Sequence, residues 1–231
     1  MMPTVKWQPA SPRPVALPGK DEIHLWQIDL DHMPADTDVL YGTLSASERE
    51  RARRLIFEKQ RRRYVAARGW LRSVLSSYLN LPAHAVPLAV SFPGKPCMVP
   101  GADPCGLQFN LSHCDGQVFL AVTTRREIGV DLQRAPEKAD WPAIAKRFFT
   151  PEEYGHLQTL PMESRAPVFA EIWTRKEAAG KATGEGLTSR IFSTVVGPAE
   201  WGTVDCGEGL SVWSLPTRDR FAAAIAVQQP L

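Results

Sequence analysis

Two short segments carry oxygen-bearing side chains at spacings that suit a cation. Residues 128–133 alternate between apolar and other side chains, so that Asp131 and Gln133 share one face of a predicted strand and Gly129 leaves space beside them. A hard cation such as Mg²⁺ takes oxygen ligands, commonly one or two carboxylates together with waters and phosphates. The row is equally typical of a strand face exposed to water, so both interpretations remain open.

The second segment, residues 173–181, is predicted to be helical. At 100° per residue, Trp173, Glu177 and Lys181 fall within an arc of about 80°. In one interpretation Glu177 completes a metal site and Lys181 contacts a phosphate on the same metal. In the other, Glu177 and Lys181 are an ordinary i,i+4 pair beside a core tryptophan, contributing a few tenths of a kcal/mol.

Further polar groups lie upstream, at Lys95 and at the adjacent pair Ser112 and His113. Hydrolase chemistry is not favoured for the pair, because adjacent side chains seldom point at each other and no acid is placed to orient the histidine. A hydroxyl and an imidazole together suit phosphate oxygens better. Lys95, on a loop fixed by proline, is either another phosphate donor or a surface lysine.

The charge of the chain is unevenly distributed. The net charge is +2, but residues 45–72 hold nine Arg and one Lys against three Glu, a net charge of +7 that leaves the remainder at −5. A cluster of this density indicates a local anion site or a solvated helix face, whereas a globally basic chain would indicate non-specific nucleic-acid binding. We expect one to three of these arginines to contact a ligand, since the planar guanidinium suits phosphate.

Composition excludes several classes of protein. With 231 residues, 44% hydrophobic and 23% charged, the chain is neither disordered, nor fibrous, nor a coiled coil. No apolar run is long enough to span a bilayer, and the N-terminus lacks the apolar core of a signal peptide. We therefore predict a soluble, cytoplasmic protein whose four cysteines are free thiols.

The elements that must position these side chains can be read along the chain. The first part of the chain predicts a strand over 23–30, a short helix or turn over 36–43, a helix starting at the Ser45–Glu48 capping box, a helix over 59–79 and a strand over 88–92. A β-hairpin formed by 118–123 and 128–133 comes next. The remainder predicts a helix over 143–149, a helix capped by Thr150, a helix over 166–183 and antiparallel strands between 192 and 227. This order predicts two α+β halves that meet near residue 124. The expected boundaries are 1–20 for a proline-rich tail without regular structure, 21–124 for the N-terminal half and 125–231 for the C-terminal half.

Four motifs occur in the order and approximate spacing of one family. The segments Gly94–Pro96, Phe109–His113, Gly129–Asp131 and Trp173–Lys181 resemble those of the 4'-phosphopantetheinyl transferase superfamily. The resemblance is to its longer, pseudo-dimeric type and covers nearly the whole ordered chain. It implies a pseudo-twofold arrangement of two similar α/β halves, each a small antiparallel sheet packed with helices.

The resemblance also implies an activity. Such an enzyme moves the phosphopantetheine arm of coenzyme A onto a serine of an apo acyl carrier protein or peptidyl carrier domain, and releases adenosine 3',5'-bisphosphate. Mg²⁺ would be held by Asp131, Gln133 and Glu177, while Lys181, Ser112 and His113 would contact phosphates. Lys95, Arg51 and Arg63 match positions near the 3'-phosphate and adenosine end, which assigns that end to the N-terminal half.

Four points stay open after the resemblance. Gln133 stands where family members commonly have a carboxylate, so the amide would bind the metal directly or through water. The general base would be Glu177, directly or through a metal-bound water, or Glu153, in a segment that also resembles the family. The carrier would dock near residues 135–154, with Trp141, Phe148 and Phe149 as apolar surface. A monomer without nucleic-acid or membrane partners is expected; the rival hypotheses are a degenerate member that binds coenzyme A without transfer, and an arginine-rich nucleic-acid-binding module.

Overall fold

The computed structural model describes residues 3–8, 15–33, 36–91, 94–137, 140–218 and 220–229. The elements up to residue 124 are β1 (Thr4–Trp7), β2 (Glu22–Asp29), α1 (Thr37–Gly42), α2 (Ala46–Arg54), α3 (Glu58–Leu79), β3 (Leu88–Val90), β4 (Pro96–Met98), β5 (Leu107–Cys114) and β6 (Gln117–Thr124). The later elements are β7 (Ile128–Arg134), α4 (Trp141–Phe148), α5 (Pro151–Thr159), α6 (Met162–Thr183), α7 (Ser189–Ser193), β8 (Val204–Asp205), β9 (Leu210–Leu215) and β10 (Phe221–Gln228). Among all the described residues, no helix is both long and apolar enough to span a membrane.

The chain packs as two compact units. The first comprises Met1–Gln108 and Gly116–Thr124, and the second comprises Phe109–Asp115 and Arg125–Leu231. Each contains a small sheet packed with helices, so the predicted α+β class is confirmed. The four cysteines are free, as predicted.

In the first unit, β2 is paired on both sides. It runs antiparallel to β6 and parallel to β1. Helix α3 packs on this sheet through Tyr78, whose hydroxyl oxygen lies 2.8 Å from both the Trp26 Nε1 and the His24 Nδ1. Residues 3–8 therefore include a strand where the sequence predicted an unstructured tail, while residues 1–2 and 9–14 of that tail lie outside the described residues.

In the second unit, four antiparallel strands follow the order β7-β10-β9-β8. Helix α6 lies across β7 and β10. The close approach depends on small residues: β10 contributes Ala222, Ala224 and Ala226, and a Cβ on Gly129 of β7 would lie 2.0 Å from the Ala178 carbonyl oxygen. The space that Gly129 leaves is thus filled by the helix.

Local signals predicted the helices well. Both side-chain and backbone bonds of the Ser45 capping box form, and Thr150 makes a second capping box with Glu153. Helix α6 begins four residues earlier than predicted and ends at Thr183, where Gly184 adopts a left-handed φ of 74°. The predicted hairpin is wrong: β6 pairs with β2 in one sheet, and β7 pairs with β10 in the other.

Candidate active site

Asp131 is the centre of the candidate site. It lies on β7 opposite Ala224, only 2% exposed, on the face covered by α6. Its Oδ1 accepts from the Lys181 ammonium at 2.6 Å and from the Ser112 hydroxyl at 2.8 Å. Its Oδ2 is buried without a hydrogen-bond partner in the described part of the chain. A buried carboxylate oxygen without a partner costs free energy, so a further hydrogen-bond donor or a cation at this oxygen would be stabilising.

Lys181 binds three acceptors at the end of α6. Besides Asp131, its Nζ lies 3.1 Å from the Val130 carbonyl oxygen and 3.3 Å from the Ser112 Oγ. These contacts fix the ammonium at the strand, although the side chain remains 26% exposed. A phosphate oxygen would most readily replace the longest of these bonds, the one to Ser112.

Glu177 lies one helical turn before Lys181. Burial raises the pKa of Glu177 above its ordinary value, and the nearby Asp131 carboxylate raises it further, while Lys181 opposes both. The Asp131 carboxylate is thus close enough to disfavour the charged form of Glu177, a situation that a bound cation would relieve. Asp131 Oδ2 and Glu177 together fit a divalent cation.

Gln133 completes the predicted row of oxygen atoms. It is half-buried on β7, two residues after Asp131 and on the same face, opposite Ala222. Among the residues that the structure describes, no group of three or more His, Cys, Asp or Glu side chains is placed to hold a metal ion. Gln133, whose amide oxygen is the predicted third ligand, is not one of these residue types.

Strand β5 holds the site from the side of β7. The Ser112 Oγ accepts from the Leu132 N–H at 3.3 Å while donating to Asp131, and the Asn110 Oδ1 accepts from the Val130 N–H at 2.7 Å. Both side chains are buried, whereas His113 is exposed. Sequence reasoning missed Asn110, although the alternation over 107–114 places it on the same side of the strand as Ser112.

Glu153, the second predicted base, lies in a different setting. Its side chain is fully buried and forms an ion pair of 2.9 Å with the equally buried Lys176. Its Oε2 also accepts from the Thr150 N–H, and its Oε1 accepts from the N–H groups of Val196 and Gly197. Both oxygens are saturated, which favours a structural role.

The bonds of Glu153 join the two walls of a groove. The groove has a volume of about 710 Å³ and lies between the α4–α5 junction and the end of α7 with Val195 just after it. Its apolar lining includes Phe148 and Phe192, whose ring centroids are 4.5 Å apart, and the Arg147 guanidinium lies over Phe148. Of the predicted apolar surface, Phe148 lines the groove, as does the largely buried Phe149, and Trp141 packs on Phe169.

Three predicted ligand residues belong to the first unit. The guanidinium of Arg51 lies 5.6 Å from the centre of the Tyr64 ring, and Arg63 is ion-paired with Asp31. Lys95 is half-buried directly after Gly94, whose φ of 120° requires glycine. The other predicted site residues all belong to the second unit.

Comparisons with known proteins identify one family. A family model described as the 4'-phosphopantetheinyl transferase superfamily matches residues 127–214, and one described as 4'-phosphopantetheinyl transferase, N-terminal, matches residues 32–125. The 4'-phosphopantetheinyl transferase HetI of Nostoc sp. is 38% identical over 222 residues, covering 96% of this chain and 93% of the relative. A putative 4'-phosphopantetheinyl transferase of Synechocystis sp. is 33% identical, covering 70% of this chain and 67% of its own.

A more distant relative is Sfp of Bacillus subtilis, a 4'-phosphopantetheinyl transferase that is 29% identical over 65% of this chain and 64% of its own. The two family models thus match successive parts of the chain, and both describe a transferase. The chain belongs to the 4'-phosphopantetheinyl transferase superfamily, and its activity is phosphopantetheinyl transfer.

Proposed function

We propose that this protein uses Mg²⁺ and coenzyme A to modify a serine of an apo acyl or peptidyl carrier. The observation that carries the metal assignment is the buried, unsatisfied Asp131 Oδ2 beside Glu177. Asp131 and Glu177 would hold the ion, and Gln133 would bind it directly or through water. When bound, Mg²⁺ supplies positive charge that stabilises the phosphate oxygens during transfer.

The reaction forms a bond between the carrier serine oxygen and the β-phosphorus of coenzyme A. The bond from that phosphorus to the bridging oxygen breaks, and adenosine 3',5'-bisphosphate leaves. Lys181 exchanges its 3.3 Å contact with Ser112 for a phosphate oxygen and stabilises the developing charge, while Asp131 keeps the ammonium in place. Positioning of this kind supplies much of the rate in phosphoryl transfer.

Glu177 is the proposed general base. It lies in the same site as Asp131 and Lys181, where it would accept the proton of the carrier serine directly or through water. Glu153 is not proposed for this role, because four donors already occupy its two oxygens and its side chain is inaccessible.

The remaining ligand contacts follow from the resemblance and from charge. Lys95, Arg51 and Arg63 are proposed to bind the 3'-phosphate and adenosine end, and the exposed His113 to contact a phosphate. Ser112 has only one proton, which it donates to Asp131. Its first role is therefore to orient that carboxylate, and a donation to phosphate would require the bond to Asp131 to break.

The groove beside Phe148 is the proposed docking site for the carrier. It offers apolar surface together with Arg147, and the buried Glu153–Lys176 pair fixes both of its walls. A preformed groove avoids the entropy cost of ordering a flexible one on binding.

We further propose a cytoplasmic monomer without nucleic-acid or membrane partners. Four free cysteines suit a reducing compartment. The groups proposed for the chemistry, Asp131, Glu177 and Lys181, come from one unit of one chain, so that no second copy is required.

One experiment tests the proposal against its rivals. The protein is incubated with coenzyme A, Mg²⁺ and an apo carrier domain, and the carrier is weighed by mass spectrometry. We expect the addition of one phosphopantetheine, its loss when EDTA replaces Mg²⁺, and its loss in Asp131→Asn. Retained coenzyme A binding without addition to any of several carriers would favour the degenerate member, and salt-sensitive binding of DNA or RNA would favour the nucleic-acid module.

A further inference from the structure

The corner between α2 and α3, residues 55–57, exposes two consecutive large apolar side chains. Ile56 is 90% exposed and Phe57 is 67% exposed, although most large apolar residues of the first unit are buried. Single exposed apolar residues are common on protein surfaces, but an adjacent pair at a convex corner forms a patch.

The N-terminus of α3 at this corner lacks the side-chain cap found in α1, α2 and α5, as do the N-termini of α4, α6 and α7. Phe57 occupies the N-cap position of α3 and makes no side-chain capping bond, whereas Ser45 and Thr150 cap α2 and α5. A serine or aspartate at this position would add about 1 kcal/mol of stability. The sequence therefore keeps an apolar pair where the fold would gain from a polar one, a local inconsistency that typically marks a functional surface.

Arginines surround this apolar pair. The side chains of Arg53 and Arg54 are 69% and 76% exposed, and both lie near a single carboxylate, that of Glu50. The corner belongs to the segment 45–72 with its net charge of +7. A second copy of this chain would bring like charges together, so a self-contact through this surface is disfavoured.

We propose that the corner formed by Ile56 and Phe57, with Arg53 and Arg54, docks an acidic face of the carrier protein that holds the acceptor serine. This inference rests on the proposed function and adds to it a second contact surface for the same partner. The planar guanidinium of an arginine can bind a carboxylate through two hydrogen bonds. Two neighbouring apolar side chains can insert into a small apolar pocket between such carboxylates on the partner. A lipid surface fits less well, because membrane-binding helices need a long apolar face and α2 has a single buried apolar residue, Ala52.

The test measures binding without turnover. The partner is an isolated apo carrier domain whose acceptor serine is replaced by alanine, and its Kd is measured by fluorescence titration against the parent protein, Ile56→Ser/Phe57→Ser and Arg53→Glu/Arg54→Glu. We expect each double variant to weaken carrier binding about tenfold or more, with the Kd for coenzyme A unchanged and the melting temperature no lower than that of the parent. The matched control is Met162→Ser, which removes an apolar side chain that is 78% exposed in the second unit and should not change the Kd.

The outcomes separate this inference from the proposed function. Unchanged carrier binding in both double variants overturns the docking surface, whether or not the parent transfers phosphopantetheine. Failure of the parent to modify any carrier overturns the proposed function, while the titration still reports on the surface. Binding of the parent to phosphatidylglycerol vesicles, lost in both variants while carrier binding is kept, would assign the corner to a membrane instead.

Discussion

Helix α6 forms two lysine–carboxylate pairs five residues apart, and their settings differ. Lys176 meets Glu153 at 2.9 Å with both side chains fully buried. Lys181 meets Asp131 at 2.6 Å with the lysine 26% exposed and the aspartate 2% exposed. Distance and burial of the carboxylate therefore do not separate the two pairs.

Hydrogen bonding does separate them. Each oxygen of Glu153 accepts two hydrogen bonds, and Lys176 also donates to the carbonyl of Thr194. Asp131 has two donors on Oδ1, and no described residue donates to its Oδ2. A saturated buried pair stabilises one arrangement of the chain, whereas an unsaturated one retains capacity for a ligand.

The largest effect is expected at the unsaturated pair. Asp131→Asn or Glu177→Gln should reduce the rate of transfer about a thousandfold at ordinary Mg²⁺ concentrations, because each removes a carboxylate that is proposed to hold Mg²⁺, whose positive charge would stabilise the reacting phosphates. Steady-state kinetics with an apo carrier measures this effect, and circular dichroism checks that the variants fold. An equal loss of rate in folded Glu153→Gln would contradict the distinction between the pairs.

At the saturated pair the effect should fall on stability. Lys176→Met leaves Glu153 buried without its counter-charge and should lower the free energy of unfolding by about 3–5 kcal/mol, measured by urea denaturation. The double variant Glu153→Gln/Lys176→Met removes both charges but keeps a side-chain oxygen that can accept from the N–H groups of Val196 and Gly197, and it should recover part of this loss. If the double variant loses more unfolding free energy than the two single variants together, neutralising each other's charge is not the only role of the two side chains.

The contact of α6 with β7 gives a third prediction. In Gly129→Ala the new Cβ would meet the backbone of Ala178 and Ala182, so that the helix must move, at a cost of about 1–3 kcal/mol and with a loss of transfer. Gly155→Ala, on α5, is the matched control because nothing lies within 4 Å of its Cβ, and it should stabilise by about 0.5–1 kcal/mol. Equal melting temperatures for the two variants would show that α6 can shift without cost.

Gln133 should have a smaller effect than the two carboxylates. Gln133→Ala should raise the Mg²⁺ concentration for half-maximal rate about tenfold, and Gln133→Glu should lower it, because a carboxylate adds negative charge at the same position of β7. Titration of activity with Mg²⁺ measures both. A loss in Gln133→Ala as large as that in Asp131→Asn would show that the amide is an essential ligand.

The smallest effect concerns pH. The native pKa of Glu177 is raised, so the unfolded chain loses this proton first as pH rises, and the native state loses stability between the unfolded and the native pKa. In Mg²⁺-free buffer, Glu177→Gln should therefore be more stable than the parent at neutral pH, and the difference should vanish in acid below the unfolded pKa. Thermal denaturation from acidic to neutral pH measures this; a gain that grows toward acid would contradict the sign.

Much of the site could be predicted because its spacing is local. Strand alternation placed Asp131 and Gln133 on one face, and helical periodicity placed Glu177 and Lys181 on one side of α6. The saturation of Glu153 could not be predicted, since its donors include the N–H groups of Val196 and Gly197, more than forty residues away. Local spacing thus identified candidate groups. Only tertiary contacts showed which lysine–carboxylate pair keeps a carboxylate oxygen without a hydrogen-bond partner among the described residues.

Elements of the fold were predicted correctly where capping and hydrophobic periodicity determine them. Strand pairing was missed where the partner strand is far away in the sequence. The four polar residues of 124–127 resemble a hairpin loop, yet β7 pairs with β10, almost a hundred residues later. Strand β5 had two available signals: alternation over 107–114, and Asp115-Gly116 directly after it, both with positive φ. Neither was used, because the segment was interpreted through its polar residues as a corner.

The side chains that hold Asp131 in place have a second consequence. Strand β7 lies at the edge of its sheet, and such an edge is a template for pairing with another chain. The side chains of Asn110 and Ser112 accept hydrogen bonds from the N–H groups of Val130 and Leu132, so those donors are not available to pair with a strand of another molecule. Protection against aggregation and orientation of the aspartate are therefore provided by the same two residues, and a loss of solubility would accompany a loss of either.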